Sequence, residues 1–167
     1  MELKSYQKEV IADLARYLEL VVKLQSPSNA YETLWEEKNV LVGLGGMPYY
    51  VDAIPGVPHV CAKVPTGGGK TYIAASSLRT IFDAMPQRRA KAVVWLVPSE
   101  AILTQTRKAL ENPDHPYRQR LDVDFGGRVQ VYSKEQALVG QNLTPAAVTE
   151  QLSLFVLSYD SFRTSKK

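Results

Sequence analysis

The segment Val64-Pro65-Thr66-Gly67-Gly68-Gly69-Lys70-Thr71 decides the fold class of this chain. It follows the apolar run 60–64, which predicts a short strand, and it precedes the helical pattern of 71–85. A glycine-rich loop between a strand and a helix brings backbone N–H groups and the positive end of the helix dipole to one place. The segment therefore predicts a phosphate-binding loop.

The chemistry of the loop residues predicts their roles. The three glycines let the backbone approach a phosphate without Cβ clashes, Lys70 supplies positive charge for the β- and γ-phosphates, and Thr71 supplies a hydroxyl ligand for Mg²⁺. Lys70 and Thr71 are thus the predicted catalytic residues. Val64 stands where the general pattern has Gly, and a glycine-rich loop with a chance Lys-Thr pair is the alternative. The loop residues predicted to bind the cofactor are Thr66, Gly67, Gly68, Gly69, Lys70 and Thr71.

Strand and helix patterns alternate beyond the loop. The uninterrupted apolar residues at 92–97 predict a strand that is buried on both faces, and 128–132 and 154–157 predict two more strands. Alternation of this kind predicts an α/β fold in which helices flank a parallel sheet. Helix starts are predicted at Ser99, at Ser133 with Gln136, and at Thr144-Pro145, and a polar loop at 111–120.

The part of the chain before the loop is less regular. Apolar residues recur at helical spacing over 3–24, which predicts an amphipathic helix that Ser26-Pro27 ends. Residues 25–57 are rich in Pro and Gly and predict irregular structure with one hairpin. The predicted division is an amino-terminal helix at 1–24, an irregular insertion at 25–57 and a partial nucleotide-binding domain at 58–167.

Composition excludes several classes of protein. The chain has 167 residues, 45% of them hydrophobic and 22% charged, which suits one folded domain. It has no apolar run of about 18 residues and no secretory signal, so we expect no membrane partner and a cytoplasmic location. Cys61 is expected to be a buried structural residue, and His59 and His115 lack neighbours at metal-ligand spacing. The net charge of +3 is too small to indicate a nucleic-acid partner. The basic residues at 88–91 are expected to form a solvated loop, with contact to nucleic acid as the alternative, and Arg163, Lys166 and Lys167 are expected to form a frayed basic end.

Three further segments resemble superfamily 2 helicases and translocases. Residues 3–9 (LKSYQKE), 93–106 (VVWLVPSEAILTQT) and 157–162 (LSYDSF) are similar to the opening helix, motif Ia and motif Ic of that superfamily. The sequence of motif Ia is most similar to the restriction-subunit (type III) branch, and it also resembles the DEAD/DEAH-box helicases. The resemblance covers nearly the whole chain. It implies a RecA-like P-loop NTPase fold that is incomplete at its carboxyl end.

The resemblance also implies cofactors, partners and site residues. It implies ATP and Mg²⁺ as cofactors, with Gln7 contacting the adenine, and nucleic acid as the partner, DNA rather than RNA. Backbone N–H groups of the loop Pro98-Ser99-Glu100, and of Ser158 and Tyr159, are implied to hold nucleic-acid phosphates. Two alternatives stay open: Gln7 as an exposed helix residue, and Ser99 as a helix cap without a ligand.

A working motor of this kind needs an acidic pair after an apolar strand to hold Mg²⁺ and position the attacking water. Asp122-Val123-Asp124 has no apolar strand before it, and Asp160 is followed by Ser161. We expect the acidic pair beyond Lys167 or on a partner chain, so the complete protein would be an ATP hydrolase that moves on nucleic acid and this chain alone would be weak or inactive. The alternatives are a non-catalytic nucleotide-binding or interaction module and another P-loop enzyme such as a kinase.

Overall fold

The computed structural model describes residues 2–85 and 90–162, and the chain divides into two compact units. The first unit is Met1–Met85 and the second is Pro86–Lys167. The expected basic patch at 163–167 lies outside the described residues, as does half of the patch at 88–91. None of the helices within the described ranges is long and apolar enough to cross a membrane.

Three helices form the first unit. They are α1 (Ser5–Leu24), α2 (Pro27–Glu37) and α3 (Lys70–Ala84), and α1 packs against both of the others. The predicted helices at 3–24 and 71–85 are therefore confirmed. One core cluster lies between the apolar faces of α1 and α2, and α3 adds further buried side chains, such as Ile73 and Leu78, to the unit. The buried residues of this cluster are Tyr17, Leu18, Leu20, Ala30 and Leu34.

Helix α2 corrects the prediction that residues 25–57 are irregular. The Ser26 hydroxyl accepts a hydrogen bond from the Asn29 N–H at 3.3 Å, and Pro27 occupies the first helical position, where its missing N–H costs nothing. The same Ser-Pro pair that ends α1 thus begins α2. Beyond α2 the irregular course is confirmed, but the predicted hairpin is wrong. The one β contact in the described residues from 38 to 69 is an isolated parallel bridge between Val42 and Met47, whereas a hairpin pairs antiparallel strands.

The strand predicted at 60–64 is wrong. These residues have no strand partner in the described chain, and Val60 is 61% exposed. Cys61 is exposed, so the expectation of a buried structural cysteine is also wrong. A strand is stable only when a neighbouring strand pairs with its backbone, and the apolar composition of 60–64 cannot supply that neighbour.

A parallel sheet organises the second unit. Its strands are β1 (Ala92–Val97), β2 (Val129–Tyr132) and β3 (Leu152–Ser158), in the order β1-β3-β2 with both pairs parallel. This confirms the predicted α/β class and the three strands after the loop. The central strand β3 holds the core of this unit, because Leu152, Leu154 and Val156 are almost completely buried. The flanking helices are α4 (Glu100–Glu111), α5 (Pro116–Phe125), α6 (Lys134–Leu138) and α7 (Pro145–Glu150), and a 3-10 turn (Tyr159–Phe162) follows β3.

Two predictions in this unit are wrong in part. Strand β1 is not buried on both faces: it is an edge strand, and Val94 and Leu96 are 59% and 43% exposed on one face. The polar segment 111–120 is not all loop, because α5 begins at Pro116 after the His115 ring accepts a hydrogen bond from the Tyr117 N–H. The predicted starts of α4, α6 and α7 are confirmed.

Candidate functional site

The glycine loop of the first unit is a set of free backbone donors at the start of a long helix. Gly67 and Gly69 have φ angles of 77° and 74°, a conformation that favours glycine. The Gly68 N–H donates to the Pro65 carbonyl at 3.0 Å, so the loop closes on itself at that point. The N–H groups of Gly69, Lys70 and Thr71 donate to no acceptor in the described residues, because the first hydrogen bond of α3 is from Ile73 to Gly69. Three adjacent donors at a helix N-terminus suit an anion.

A Cβ would be crowded at two loop positions, so a neighbouring side chain would have to move. A Cβ on Gly68 would lie 2.6 Å from Val64 Cγ1, and one on Gly69 would lie 2.7 Å from Gln7 Nε2. Both distances are well inside van der Waals contact. The β-branched Val64, which departs from the usual pattern, therefore packs against the loop without displacing any backbone donor. The residues present fit a bound polyphosphate.

Lys70 and Thr71 place their side chains at the start of α3. The Lys70 ammonium donates to the Pro65 carbonyl at 3.3 Å and the side chain is exposed, so the charge lies beside the loop backbone. Thr71 is half-buried on the first turn of the helix. A cation and a hydroxyl next to the free N–H groups are the groups that a triphosphate and its Mg²⁺ would need.

Gln7 lies against this loop. Its amide Oε1 accepts a hydrogen bond from the Lys4 N–H at 2.9 Å, and its Nε2 donates to the Gly68 carbonyl at 3.0 Å. The side chain is only 5% exposed, so the alternative of an exposed helix residue is wrong. The structure thus brings Gln7 together with the predicted phosphate-binding residues.

Sequence reasoning missed the contact made by Tyr6. Its hydroxyl donates to the same Gly68 carbonyl at 2.6 Å. Tyr6 lies next to Gln7 in the sequence, but no pattern links it to a glycine 62 positions away. The tyrosine is 39% exposed, so it is not a core aromatic either.

The second unit gathers the residues predicted to contact nucleic acid at one edge of its sheet. The register pairs Val97 with Ser158, so Pro98 and Ser99 after β1 lie beside Ser158 and Tyr159 at the end of β3. Ser99 accepts a hydrogen bond from the Ile102 N–H, which confirms its role as the cap of α4. Pro98 and Tyr159 are exposed.

Ser158 has a different setting. Its hydroxyl is completely buried and donates to the carboxylate of Glu100, with Ser161 Oγ at 3.3 Å. Its side chain therefore joins the segment after β3 to the start of α4, and only its backbone is left for a phosphate. Glu100 was assigned no such role from the sequence.

No acidic pair in the described ranges follows a strand. Asp122 and Asp124 lie on α5, where each forms an ion pair of 2.9 Å with the arginine four residues before it. Asp160 lies in the 3-10 turn after β3. Within 2–85 and 90–162, no three His, Cys, Asp or Glu side chains cluster as metal ligands.

Comparison with known families supports the phosphate loop. The family model described as type III restriction enzyme, res subunit, matches residues 1–166. The family has the P-loop NTPase fold and consists of helicase-like, ATP-dependent motors that in general use ATP and Mg²⁺ and bind nucleic acid. No curated protein and no solved structure matches the chain.

Proposed function

This chain belongs to the family of type III restriction enzyme res subunits, and on that premise we propose that it is the ATP-binding part of an ATP-dependent DNA helicase or translocase. The observation that carries the proposal is the set of three free N–H groups at Gly69, Lys70 and Thr71, where the glycine loop meets the start of α3. Membership in a family of ATP-dependent motors with the P-loop NTPase fold supports a nucleotide at this loop.

Each loop residue has a role in this proposal. The backbone N–H groups hold the phosphate oxygens, and the Lys70 ammonium turns from the Pro65 carbonyl to neutralise charge on the β- and γ-phosphates. The Thr71 hydroxyl is the protein ligand for Mg²⁺. When ATP and Mg²⁺ are bound, they supply the phosphoanhydride whose hydrolysis drives movement. Gln7 contacts the adenine through the amide donor and acceptor positions that its hydrogen bonds to Lys4 and Gly68 do not use.

The second unit would hold nucleic acid in this proposal. Pro98, Ser99, Ser158 and Tyr159 lie at the carboxyl edge of the sheet, and in this proposal the backbone N–H groups there, which Pro98 lacks, contact phosphate oxygens, which carry no sequence information. The exposed ring of Tyr159 adds a surface on which a base could stack. The family resemblance favours DNA over RNA. Binding would then depend strongly on salt concentration.

A non-catalytic nucleotide-binding module is the second candidate. It is favoured by the ion pairs that occupy Asp122 and Asp124, which leave no acidic pair free beside a strand in the described part of the chain. In the motor proposal, those carboxylates come from a continuation of the chain or from a partner. The two candidates differ in turnover and agree on nucleotide binding.

ATP hydrolysis with and without DNA tests the proposal. We expect weak turnover from this chain and DNA-stimulated turnover from the complete motor, reduced at least about 100-fold by Lys70→Ala, because the lost cation stabilises charge in the transition state. Lys63→Ala, which removes an exposed lysine just before the loop, is the matched control. Unchanged hydrolysis in the Lys70→Ala motor would exclude the proposed site. Nucleotide binding without turnover in the complete protein would favour the non-catalytic module.

A further inference from the structure

One carbonyl of the glycine loop accepts two hydrogen bonds from helix α1. Tyr6 Oη donates to the Gly68 carbonyl at 2.6 Å and Gln7 Nε2 donates to it at 3.0 Å. The two donors also lie 3.4 Å from each other. Because they come from 62 and 61 positions away, they tie the loop to a helix that is distant from it in the sequence.

These two bonds determine the direction of the next N–H group. The chain has no cis peptide bond among its described residues, so the peptide between Gly68 and Gly69 is planar and trans. In a trans peptide the C=O and the N–H point in opposite directions. Holding the Gly68 carbonyl toward α1 therefore turns the Gly69 N–H away from α1. That N–H is one of the three free donors proposed to bind phosphate.

The loop needs such a constraint because glycine imposes none of its own. Gly67 has no neighbour within 4 Å of its Cβ position, whereas the Cβ position of Gly69 lies 2.7 Å from Gln7 Nε2. Glycine backbone rotates more freely than that of any other residue, so without outside contacts the 68–69 peptide could turn over. A donor that is already oriented binds its ligand without first losing that freedom.

We propose that Tyr6 is a positioning residue for the phosphate loop, which acts through the Gly68 carbonyl and not through the base. This inference rests on the proposed nucleotide site. Gln7 donates to the same carbonyl and has a proposed adenine contact in addition, so Tyr6→Phe tests the positioning role separately from the contact with the base. Loss of the Tyr6 hydroxyl should weaken the binding of every triphosphate by the same factor. Loss of an adenine contact should instead change the preference for ATP over GTP.

Tyr6→Phe tests this proposal because it removes one oxygen and keeps the ring. The matched control is Tyr31→Phe, since the Tyr31 hydroxyl also donates to a backbone carbonyl, that of Pro48 at 2.8 Å, away from the loop. Mg²⁺ complexes of ATP, GTP and inorganic tripolyphosphate would be titrated into each protein. We expect Tyr6→Phe to lower the binding affinity for all three ligands by about 2- to 10-fold, the usual effect of one hydrogen bond. Tyr31→Phe should leave the three affinities unchanged.

Amide NMR spectra of the nucleotide-free proteins give a second readout. We expect the Gly69 N–H resonance to shift in Tyr6→Phe and to stay in place in Tyr31→Phe. An unmoved Gly69 resonance would overturn the positioning role of Tyr6, and this readout needs no bound nucleotide. Failure of the wild type to bind any nucleotide would instead exclude the proposed function. Equal affinities in Tyr6→Phe and wild type, or an effect on ATP without one on tripolyphosphate, would also overturn it.

Discussion

Replacing Gly69 by Ala tests the loop geometry without any nucleotide. At its φ of 74°, an L-residue costs about 1–2 kcal/mol relative to glycine. The added Cβ would also lie 2.7 Å from Gln7 Nε2 and displace a buried amide that bonds at both ends, to Lys4 and to Gly68. Losing one or two of these bonds costs about 1–2 kcal/mol more. We expect Gly69→Ala to lower the free energy of unfolding by about 2–4 kcal/mol.

Gly67→Ala is the matched control for this experiment. Gly67 has nearly the same φ, 77°, but nothing lies within 4 Å of its Cβ position. It should therefore lose only the conformational part, about 1–2 kcal/mol. Urea unfolding of both variants, followed by circular dichroism, measures the difference. Equal destabilisation of the two variants would refute the contact between Gly69 and Gln7 and, with it, the described position of α1 against the loop.

Three further predictions concern the fold around the two candidate sites. Leu154→Ala should cost about 2–5 kcal/mol in urea unfolding, because the side chain is completely buried at the centre of the sheet; a cost below about 1 kcal/mol would contradict its central position. Glu100→Ala should cost about 1–2 kcal/mol, and this cost should largely disappear in a Ser158→Ala background, because the carboxylate accepts from that buried hydroxyl; additive losses would contradict the link. The Arg16 guanidinium holds the pKa of the Glu37 carboxyl below its usual 4.5, so this pair stabilises the fold above that pH and the effect is lost as the pH falls through the lowered value. Urea midpoints measured from about pH 3 to 7 should therefore fall less steeply on the acid side in Glu37→Gln, and parallel curves would exclude the pair.

Local hydrogen bonds explain which helices could be predicted from the sequence. Ser99, Ser133 and Thr144 each accept from a backbone N–H three residues ahead, so their signal is contained in four residues. Ser26 makes the same bond at the start of α2, but Pro27 was interpreted as a helix stop. A proline can end one helix or begin another, and the residues after it decide between the two. Here Ala30 and Leu34, and Tyr31 and Trp35, recur at helical spacing, so the residues after Pro27 do contain the helix signal.

Contacts between distant residues explain what could not be predicted. A strand at 60–64 would need a partner that the local apolar pattern cannot specify, and the exposure of Val94 depends on which elements pack on that face of β1, which the apolar run does not specify either. Tyr6 reaches Gly68 across 62 positions, which no spacing rule describes. Helix α5 has no regular apolar spacing, although Leu121 is buried, and its two Arg-Asp pairs at i,i+4 are a signal that could have found it.

The glycine loop and the helix after it are the part of the candidate site that could be predicted from the sequence, and their role in phosphate binding stays a prediction. The glycines, Lys70 and Thr71 are adjacent in the chain, so their arrangement depends on one turn of backbone and the first turn of one helix. Gln7 required a family resemblance to be placed at the loop, because its position depends on how α1 packs against α3. A contact is thus harder to predict when a longer stretch of chain must fold before it can form.

Titration of Mg²⁺-ATP into this chain tests the central claim most directly. The claim is that the free N–H groups of the glycine loop and the Lys70 ammonium together bind the triphosphate. Calorimetry should give saturable binding of one nucleotide per chain, weakened at least about 10-fold in Lys70→Ala and unchanged in Lys63→Ala, because only the first lysine lies against the loop carbonyl. Absence of binding, or equal binding by wild type and Lys70→Ala, would contradict the account.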